Sequence, residues 1–228
     1  MIDTKKLINE NFIYREKLYK VNKFDRRKLK ILVKSVPRDA RVLEIGCGYG
    51  FLAQLLLSRT DKVWATDIVR GIAEKPLAGG VVFKIMKVGK LPFENKFFDC
   101  LISTDVIEHV EDDNAFLTEC GRVLKKNGKM ITMTPNRYRL SFWLKNLVLR
   151  KPKFPNEKRI DPIFGVDQHL REYDKKELRT LFDKKDWKKI KVQGYGFGLS
   201  NRKALAKLIA SPWDFWCNYF LVTAKKGQ

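Results

Sequence analysis

The sequence predicts an α/β fold with a doubly wound, mostly parallel sheet of seven strands and helices on both faces. Short apolar runs alternate with helical segments over most of the 228 residues, a pattern typical of βαβ units. One of these runs breaks into a glycine-rich turn and continues as a helix, as the first unit of such a sheet does. A hydrophobic content of 44% and a charged content of 32% are typical of a globular protein.

The N-terminal part of the chain supplies a helical cap and the first strands. Apolar residues at helical spacing before Pro37 predict one or two helices, which form a cap over residues 1–36. The main domain is then expected over residues 37–228. Its first predicted elements are the strands Arg41–Ile45, Val63–Ala65, Val81–Met86 and Phe98–Ser103, with a helix Phe51–Ser58 after the first strand.

The second half of the chain continues the alternation and then interrupts it. Asp112 to Asn114 are good N-cap residues for a helix that closes at Asn127-Gly128, before a fifth strand, Lys129–Thr134. The basic, aromatic stretch 137–172 contains three prolines and is expected to be an insertion or lid over the active-site edge of the sheet, on the acceptor side. The last predicted elements are a helix opened by a capping box at Asp174 and Glu177, a strand Lys189–Gly194, a short helix near Ala204–Ile209 and a strand Trp216–Ala224.

The segment from Val42 to Gly50 reads Val-Leu-Glu-Ile-Gly-Cys-Gly-Tyr-Gly and carries the strongest functional signal. Glycines in such a turn let the backbone approach a ligand closely. Dinucleotide binding requires G-x-G-x-x-G, but Phe51 occupies the position of the third glycine, so the spacing argues against an NAD-dependent oxidoreductase. Asp67 follows 17 residues after Gly50, at the end of the second predicted strand, where a carboxylate can accept hydrogen bonds from ribose hydroxyls.

This loop resembles motif I of the class I S-adenosylmethionine-dependent methyltransferases, and further motifs follow in the family's order. They are Leu91–Phe93 with Phe97–Asp99, Asp105–Val110, Arg122–Gly128, Thr134–Asn136, and Gln168–Tyr173 with Glu177. The resemblance covers about residues 40–183 and is nearest to the type 11 branch, which includes quinone-biosynthesis enzymes. It implies a Rossmann-like fold and an enzyme that transfers a methyl group.

The resemblance also implies S-adenosylmethionine as the cofactor and S-adenosylhomocysteine as its product. The residues expected to bind the cofactor are Glu44, Gly46, Cys47, Gly48, Gly50, Asp67, Ile68, Val88 and Asp105. Family members often carry an acidic residue near the adenine amine, before the Leu91–Phe93 motif, where this sequence has Lys87. We therefore expect adenine to be recognised through backbone groups near Val88 and by apolar packing against Ile68 and Leu91.

Candidate catalytic residues lie after the fourth and fifth predicted strands. Alignment supplies most of the rate in methyl transfer, so a base is optional, but a hydroxyl acceptor would benefit from one. His109 is a candidate base because histidine titrates near neutral pH; the alternative, that it orients its loop, stays open. His169 lies in the insertion, where a packing role is favoured. Asp105 and Glu108 are expected to contact the amino group of the cofactor. Asn136 and Arg137 are expected to contact the acceptor, with an ordinary turn at Pro135-Asn136 as the alternative.

The sequence narrows the chemical class of the methyl acceptor but does not identify the molecule. The (N/D)-P-P-(Y/F) tetrapeptide of enzymes that methylate base amino groups is absent after the fourth strand, and no cysteine follows a proline, as cytosine-C5 enzymes need. We expect a small-molecule or lipid-like acceptor that is methylated at oxygen. An RNA or protein methyltransferase, and a non-catalytic basic binding protein with the same fold, are the alternatives.

The charge of the chain bears on its partners and location. The net charge of +21 favours peripheral contact with an anionic membrane or nucleic acid, with a solvated basic surface as the alternative. No apolar run approaches the ~20 residues of a transmembrane helix, so a cytoplasmic protein, in part at a membrane surface, is expected. The four cysteines are scattered without a CxxC pair, so we expect neither disulfides nor a metal.

Overall fold

A computed structural model describes residues 23–68, 80–86, 89–139, 169–184, 186–197, 205–209 and 216–227. Its helices and strands follow the predicted alternation. The elements are α1 (Lys23–Ser35), β1 (Val42–Ile45), α2 (Phe51–Leu56), β2 (Val63–Asp67), β3 (Val82–Ile85), β4 (Phe98–Thr104), a 3-10 turn (Ile107–His109), α3 (Asp113–Val123), β5 (Leu124–Pro135), α4 (Lys175–Asp183), β6 (Trp187–Phe197), β7 (Leu205–Ile209) and β8 (Tyr219–Lys226).

The strands form one sheet in the order β3-β2-β1-β4-β5-β8-β6-β7. The first five strands in this order run parallel to one another. Each of the last three runs antiparallel to the strand that precedes it in this order. The predicted fold class, a doubly wound and mostly parallel sheet, is confirmed. The chain reverses its direction of winding between β1 and β4, and in such sheets this crevice at the carboxyl ends of the strands is where ligands bind.

Two hydrophobic cores lie on opposite faces of the sheet, because side chains alternate along each strand. Val42 of β1 packs with Leu32 of α1 and Leu56 of α2 on one face. Leu43 points to the other face and belongs to the core that contains Leu117 of α3, together with residues of α4. Helices therefore cover both faces of the sheet, as predicted.

Some elements differ from the prediction in the C-terminal part. The helix predicted near Ala204–Ile209 is wrong: Leu205–Ile209 is β7, an eighth strand that pairs with β6 in antiparallel fashion. Leucine, alanine and lysine favour helix locally, but pairing with a neighbouring strand overrides this weak preference. The Asn127-Gly128 pair does not close a helix, since α3 ends at Val123 and these residues lie within β5.

The predicted insertion leaves and rejoins the sheet at a single place. Asn136 forms a parallel β-bridge with Tyr173, and the backbone N–H of Arg137 donates to the carbonyl of Tyr173 at 3.0 Å. Residues 140–168 of the insertion and residues 1–22 of the predicted cap lie outside the described part of the chain. The capping box of Asp174 and Glu177 is confirmed at the start of α4. None of the described helices is long and apolar enough to span a membrane.

Candidate active site

The glycine loop begins directly after β1 and is held by the neighbouring strand. The backbone N–H groups of Gly46 and Cys47 both donate to the carbonyl of Thr66, at 2.9 and 3.0 Å. Gly50 is the N-cap of α2 and has a left-handed backbone with φ of 69°. The loop thus turns from a buried strand into a helix, and it lies at the edge of the sheet where ligands are expected.

Asp67, at the end of β2, is hydrogen-bonded to the backbone of the glycine loop. One carboxylate oxygen accepts from the backbone N–H of Gly48 at 2.8 Å, and the other accepts from the N–H of Ile68 at 2.7 Å. Each carboxylate oxygen can accept a second hydrogen bond. The carboxylate therefore both orders the loop and retains the capacity to accept from a ligand hydroxyl.

Glu44 is a buried carboxyl beneath the loop. Only 3% of the residue is exposed, and one of its two oxygens has no hydrogen-bond partner among the residues that the structure describes. Burial raises its pKa well above the usual value, a hydrogen bond to the backbone of Ala53 opposes the shift, and the charge of Asp67 adds to it. An unpartnered buried acceptor of this kind is costly, and a ligand that brings a donor or a cation would relieve the cost.

A cavity of about 530 Å³ opens above these residues. It is lined by the glycine loop, by Thr104 and Asp105 at the end of β4, and by His109 and His169. Two residues that are distant in the sequence also line the cavity, namely Lys28 of α1 and Tyr219 of β8. The structure thus brings the predicted loop, Asp105 and both histidines to one cavity.

Lys28 lines this cavity, although the sequence alone does not distinguish it. Its ammonium pairs with a carboxylate oxygen of Asp105 at 2.9 Å and lies 4.7 Å from the centroid of the Tyr219 ring. Burial is the largest influence and lowers the pKa of this ammonium, but the charge and hydrogen bond of Asp105, with Tyr219 and Asp25, together outweigh burial, so its pKa lies above the usual value and Lys28 stays charged. Nothing in the local sequence distinguishes it from the other lysines of α1; only the packing of the helix on the cavity does.

His109 and His169 meet although 60 positions separate them. Their rings lie edge to face with centroids 5.0 Å apart. The contact arises because the N–H groups of Leu170 and Arg171 donate to the carbonyl of Glu108 in the 3-10 turn. The Nδ1 atom of His169 lies 2.8 Å from Glu172, a buried carboxylate, and the net effect of burial and of this bond is to raise the pKa of His169. His169 is thus held at the cavity by Glu172, in addition to the packing role predicted for it.

A family model described as a methyltransferase domain matches residues 43–132. This range begins in β1 and ends in β5, so it includes the glycine loop, Asp67 and the turn that carries Asp105 and His109. The order and geometry of these parts agree with the resemblance found in the sequence. Residues 43–132 of this chain are thus similar to the methyltransferase domain family.

The chain is also similar to individual methyltransferases in sequence and in fold. A protein of Xanthomonas oryzae pv. oryzae named ubiquinone biosynthesis O-methyltransferase is 31% identical over 112 residues, which are 46% of this chain and 47% of that relative. The chain spans about half the length of the curated relatives it matches. A crystal structure from Thermotoga maritima, described as a SAM-dependent methyltransferase, shares the fold with a TM-score of 0.68 and 21% identity, over 96% of this chain and 98% of that one.

A further structure shares the fold and contains the cofactor. It is phosphoethanolamine N-methyltransferase 2 of Haemonchus contortus in complex with S-adenosylmethionine, with a TM-score of 0.58 and 18% identity, over 88% of this chain and 52% of that one. S-adenosylmethionine is the ligand named for that structure. The residues found here fit it, because the unpartnered oxygen of Glu44 can accept from an ammonium group and Asp67 can accept from ribose hydroxyls.

The remaining predicted site residues do not all lie at the cavity. Asn136 is fully buried, donates through its side-chain amide to the carbonyl of Cys217 at 2.9 Å and does not line the cavity, which favours a structural role. Ile68 is 55% exposed directly after Asp67, where it can cover a ligand. Lys87 and Val88, on which the prediction for adenine recognition rests, lie outside the described residues.

Glu108 completes a cluster with the two histidines that the sequence did not reveal. Ligand atoms of Glu108, His109 and His169 all lie within 4.8 Å of one another, so these three residues could hold a metal ion. The expectation that no metal is bound relied on spacing in the sequence and stays a prediction, because this cluster joins residues that are distant along the chain. Glu108 is fully buried, and one of its oxygens accepts from the Thr134 hydroxyl at 2.9 Å. Burial, together with the charge of Asp105, raises the pKa of Glu108 to about 8.

We expect Glu108→Gln to stabilise the folded protein at pH 8 and to have little effect near pH 4.5. The folded pKa lies above the ordinary value of 4.5, so the free energy of unfolding falls as the pH rises from the unfolded to the folded pKa. Glutamine keeps the shape and removes this titration, for a gain of a few kcal/mol at most, since one pKa unit corresponds to about 1.4 kcal/mol. Urea unfolding of both proteins at several pH values measures the difference.

The matched control is Glu111→Gln, an exposed carboxyl three residues further along the chain. It should leave the pH profile of stability unchanged. If Glu108→Gln gives a profile parallel to that of the unmodified protein, Glu108 does not titrate in the range inferred from its burial.

Proposed function

We propose that the protein transfers a methyl group from S-adenosylmethionine to an oxygen atom of a small-molecule or lipid-like acceptor. The observation that carries the proposal is the single cavity that joins the glycine loop to Asp105, His109 and His169. When bound, S-adenosylmethionine supplies a methyl group on a sulfonium centre. The names of the curated relatives, which include O-methyltransferases of ubiquinone biosynthesis, support oxygen as the acceptor atom.

The residues of the chain have separate roles in this proposal. Asp67 accepts hydrogen bonds from the ribose hydroxyls, and the glycine loop lets the backbone approach the amino-acid end of the cofactor. Lys28 and Asp105 offer opposite charges 2.9 Å apart in the cavity wall. An amino-acid end carries both a carboxylate and an ammonium, so it can pair with Lys28 through the former and with Asp105 through the latter.

The histidines stand on the acceptor side of the cavity. His109 accepts the proton that a hydroxyl acceptor loses, and the His169 ring, fixed by Glu172, supports the His109 ring from the side. The Nε2 atom of a neutral histidine is an adequate acceptor near neutral pH. Alignment of the acceptor supplies the larger part of the barrier reduction, so the base adds to a rate that positioning already raises.

The direct test combines binding and turnover. Titration calorimetry with S-adenosylmethionine and S-adenosylhomocysteine should give heat of binding, and NAD should give none. Production of S-adenosylhomocysteine is then followed with matched acceptors that carry either a hydroxyl or an amine on the same scaffold. Turnover of the hydroxyl compounds alone supports O-methylation. Turnover of only the amines contradicts the acceptor atom, and absence of cofactor binding contradicts the whole proposal.

We expect Lys28→Met to weaken the binding of S-adenosylhomocysteine without unfolding the protein. Methionine keeps the apolar stem of the side chain but cannot pair with a carboxylate. Loss of a hydrogen bond to a charged group costs about 1.5 to 3 kcal/mol, which corresponds to about ten- to a hundredfold in affinity. The measurement is calorimetric titration.

Lys30→Met is the control for this variant, since Lys30 lies on the same helix but is exposed. Its affinity for S-adenosylhomocysteine should equal that of the unmodified protein. Equal affinities for all three proteins would show that Lys28 serves only to attach α1 to Asp105.

A further inference from the structure

A second concave surface lies at the edge of the sheet opposite to the active site. One cleft, of about 590 Å³, is formed where β4 and β5 begin and where α3, α4 and β8 end. A second cleft, of about 460 Å³, lies beside Trp64 of β2 and the loop that precedes β4. The two clefts share Arg122, and we call the surface that they form together the basic groove.

Uncompensated positive charge distinguishes the basic groove. Its lining includes seven lysine and arginine side chains and only two acidic ones, Glu94 and Asp186. Five of the lysines form no ion pair with any described residue: Lys84, Lys90, Lys96, Lys126 and Lys184. Like charges that converge on a concave surface repel one another and attract an extended anion.

Arg122 keeps the middle of the basic groove rigid. Its guanidinium forms an ion pair with Glu119 at 2.7 Å and also donates to the carbonyls of Leu91 and Phe93. These bonds attach the loop before β4 to α3. The lysines on either side are thus presented from a fixed backbone, so an anion does not have to order the loop when it binds.

Aromatic rings are recessed among these charges. Phe93 and Trp64 line the second cleft and are half-buried, and the ammonium of Lys84 lies 5.1 Å from the centroid of the Phe93 ring. Rings beside lysines provide surfaces on which bases stack while the phosphates are neutralised, as in proteins that bind single strands. Rings that insert into a membrane would protrude instead of lying inside a cleft.

We propose that the basic groove binds a single-stranded nucleic acid. The proposal is independent of methyl transfer, because the groove lies at the amino ends of β4 and β5 whereas the active site lies at their carboxyl ends. The net charge of +21 adds a long-range attraction for the same partner. Phosphates contact the five lysines, and bases stack against the half-exposed rings.

The test uses fluorescence anisotropy with a labelled oligouridylate of about 12 nucleotides, within the site size of single-strand binders. The groove variant is Lys126→Glu with Lys184→Glu. The control variant, Lys30→Glu with Lys34→Glu, makes the same charge change at exposed positions of α1. Binding of S-adenosylhomocysteine and the thermal transition are measured for each protein, so that misfolding is recognised separately.

At low salt, the groove variant should bind the oligonucleotide at least about tenfold more weakly than the unmodified protein. The steepness of log affinity against log salt should also fall by about 1.4, because each of the two lost phosphate contacts contributes about 0.7. The control variant should lose much less. An abasic strand of the same length should bind more weakly than the oligouridylate, because it cannot stack.

Three results would overturn the proposal. The first is equal affinity of the groove variant and the unmodified protein. The second is an equal loss in the groove and control variants, which would indicate attraction by net charge alone. The third is that vesicles of phosphatidylcholine and phosphatidylglycerol bind through the groove lysines while the oligonucleotide does not, which would assign the surface to a membrane.

Discussion

Asp67→Ala should abolish measurable binding of S-adenosylmethionine and S-adenosylhomocysteine. The carboxylate accepts the N–H groups of Gly48 and Ile68 at 2.8 and 2.7 Å, and it is also the group proposed to accept the ribose hydroxyls. Alanine removes the ligand contact and leaves the loop without its lateral support. Loss of two charge-assisted hydrogen bonds at about 1.5 to 3 kcal/mol each corresponds to at least about a hundredfold in affinity.

Asp67→Asn separates the two roles of this carboxylate. Asparagine retains one oxygen that can accept from Gly48, but its amide donates where the ribose needs an acceptor. Asparagine therefore keeps the bond from Gly48 and loses the one from Ile68, so stability should fall less than in Asp67→Ala, while affinity still falls. Calorimetric titration and urea unfolding of the three proteins give both quantities. Unchanged affinity in Asp67→Ala would mean that the ribose binds elsewhere.

The parts of the site that were predictable from the sequence are those whose geometry is local. Gly46 to Gly50 and Asp67 lie at the ends of two adjacent parallel strands, and the register of β1 with β2 brings them together. Any sequence that forms this unit places its first loop and the end of its second strand side by side. The same reasoning holds for the caps at Asp112 and Asp174, which depend on residues three positions away.

The parts that were not predictable depend on contacts between distant segments. Lys28 reaches Asp105 because α1 packs over the end of β4, and one lysine among many on that helix carries no signal of its own. His169 reaches His109 only because the backbone beyond the insertion bonds to Glu108. The local sequence of β7 predicts a helix, because the pairing with β6 that decides its conformation leaves no local signal. Spacing along the chain does not encode such pairings.

The second large effect is expected at Gly46, where the loop leaves β1. Its backbone has φ of 71°, which costs about 1 to 2 kcal/mol for a residue with a side chain. A Cβ atom at this position would also clash with Cγ2 of Val106, next to Asp105. Gly46→Ala should therefore lower the free energy of unfolding by about 2 to 4 kcal/mol, and it should weaken the binding of S-adenosylhomocysteine by at least about tenfold.

Two further variants distinguish the clash from the backbone strain. Gly48 has φ of 47° but open space where its Cβ would lie, so Gly48→Ala should lose only the smaller, backbone part of the stability. The double variant Gly46→Ala with Val106→Ala lacks the clashing methyl group, so it should be more stable than Gly46→Ala. This recovery is expected even though Val106→Ala alone removes a packing contact. Urea unfolding of the single and double variants forms a double-mutant cycle. Additive losses would contradict the contact between the glycine loop and the turn after β4.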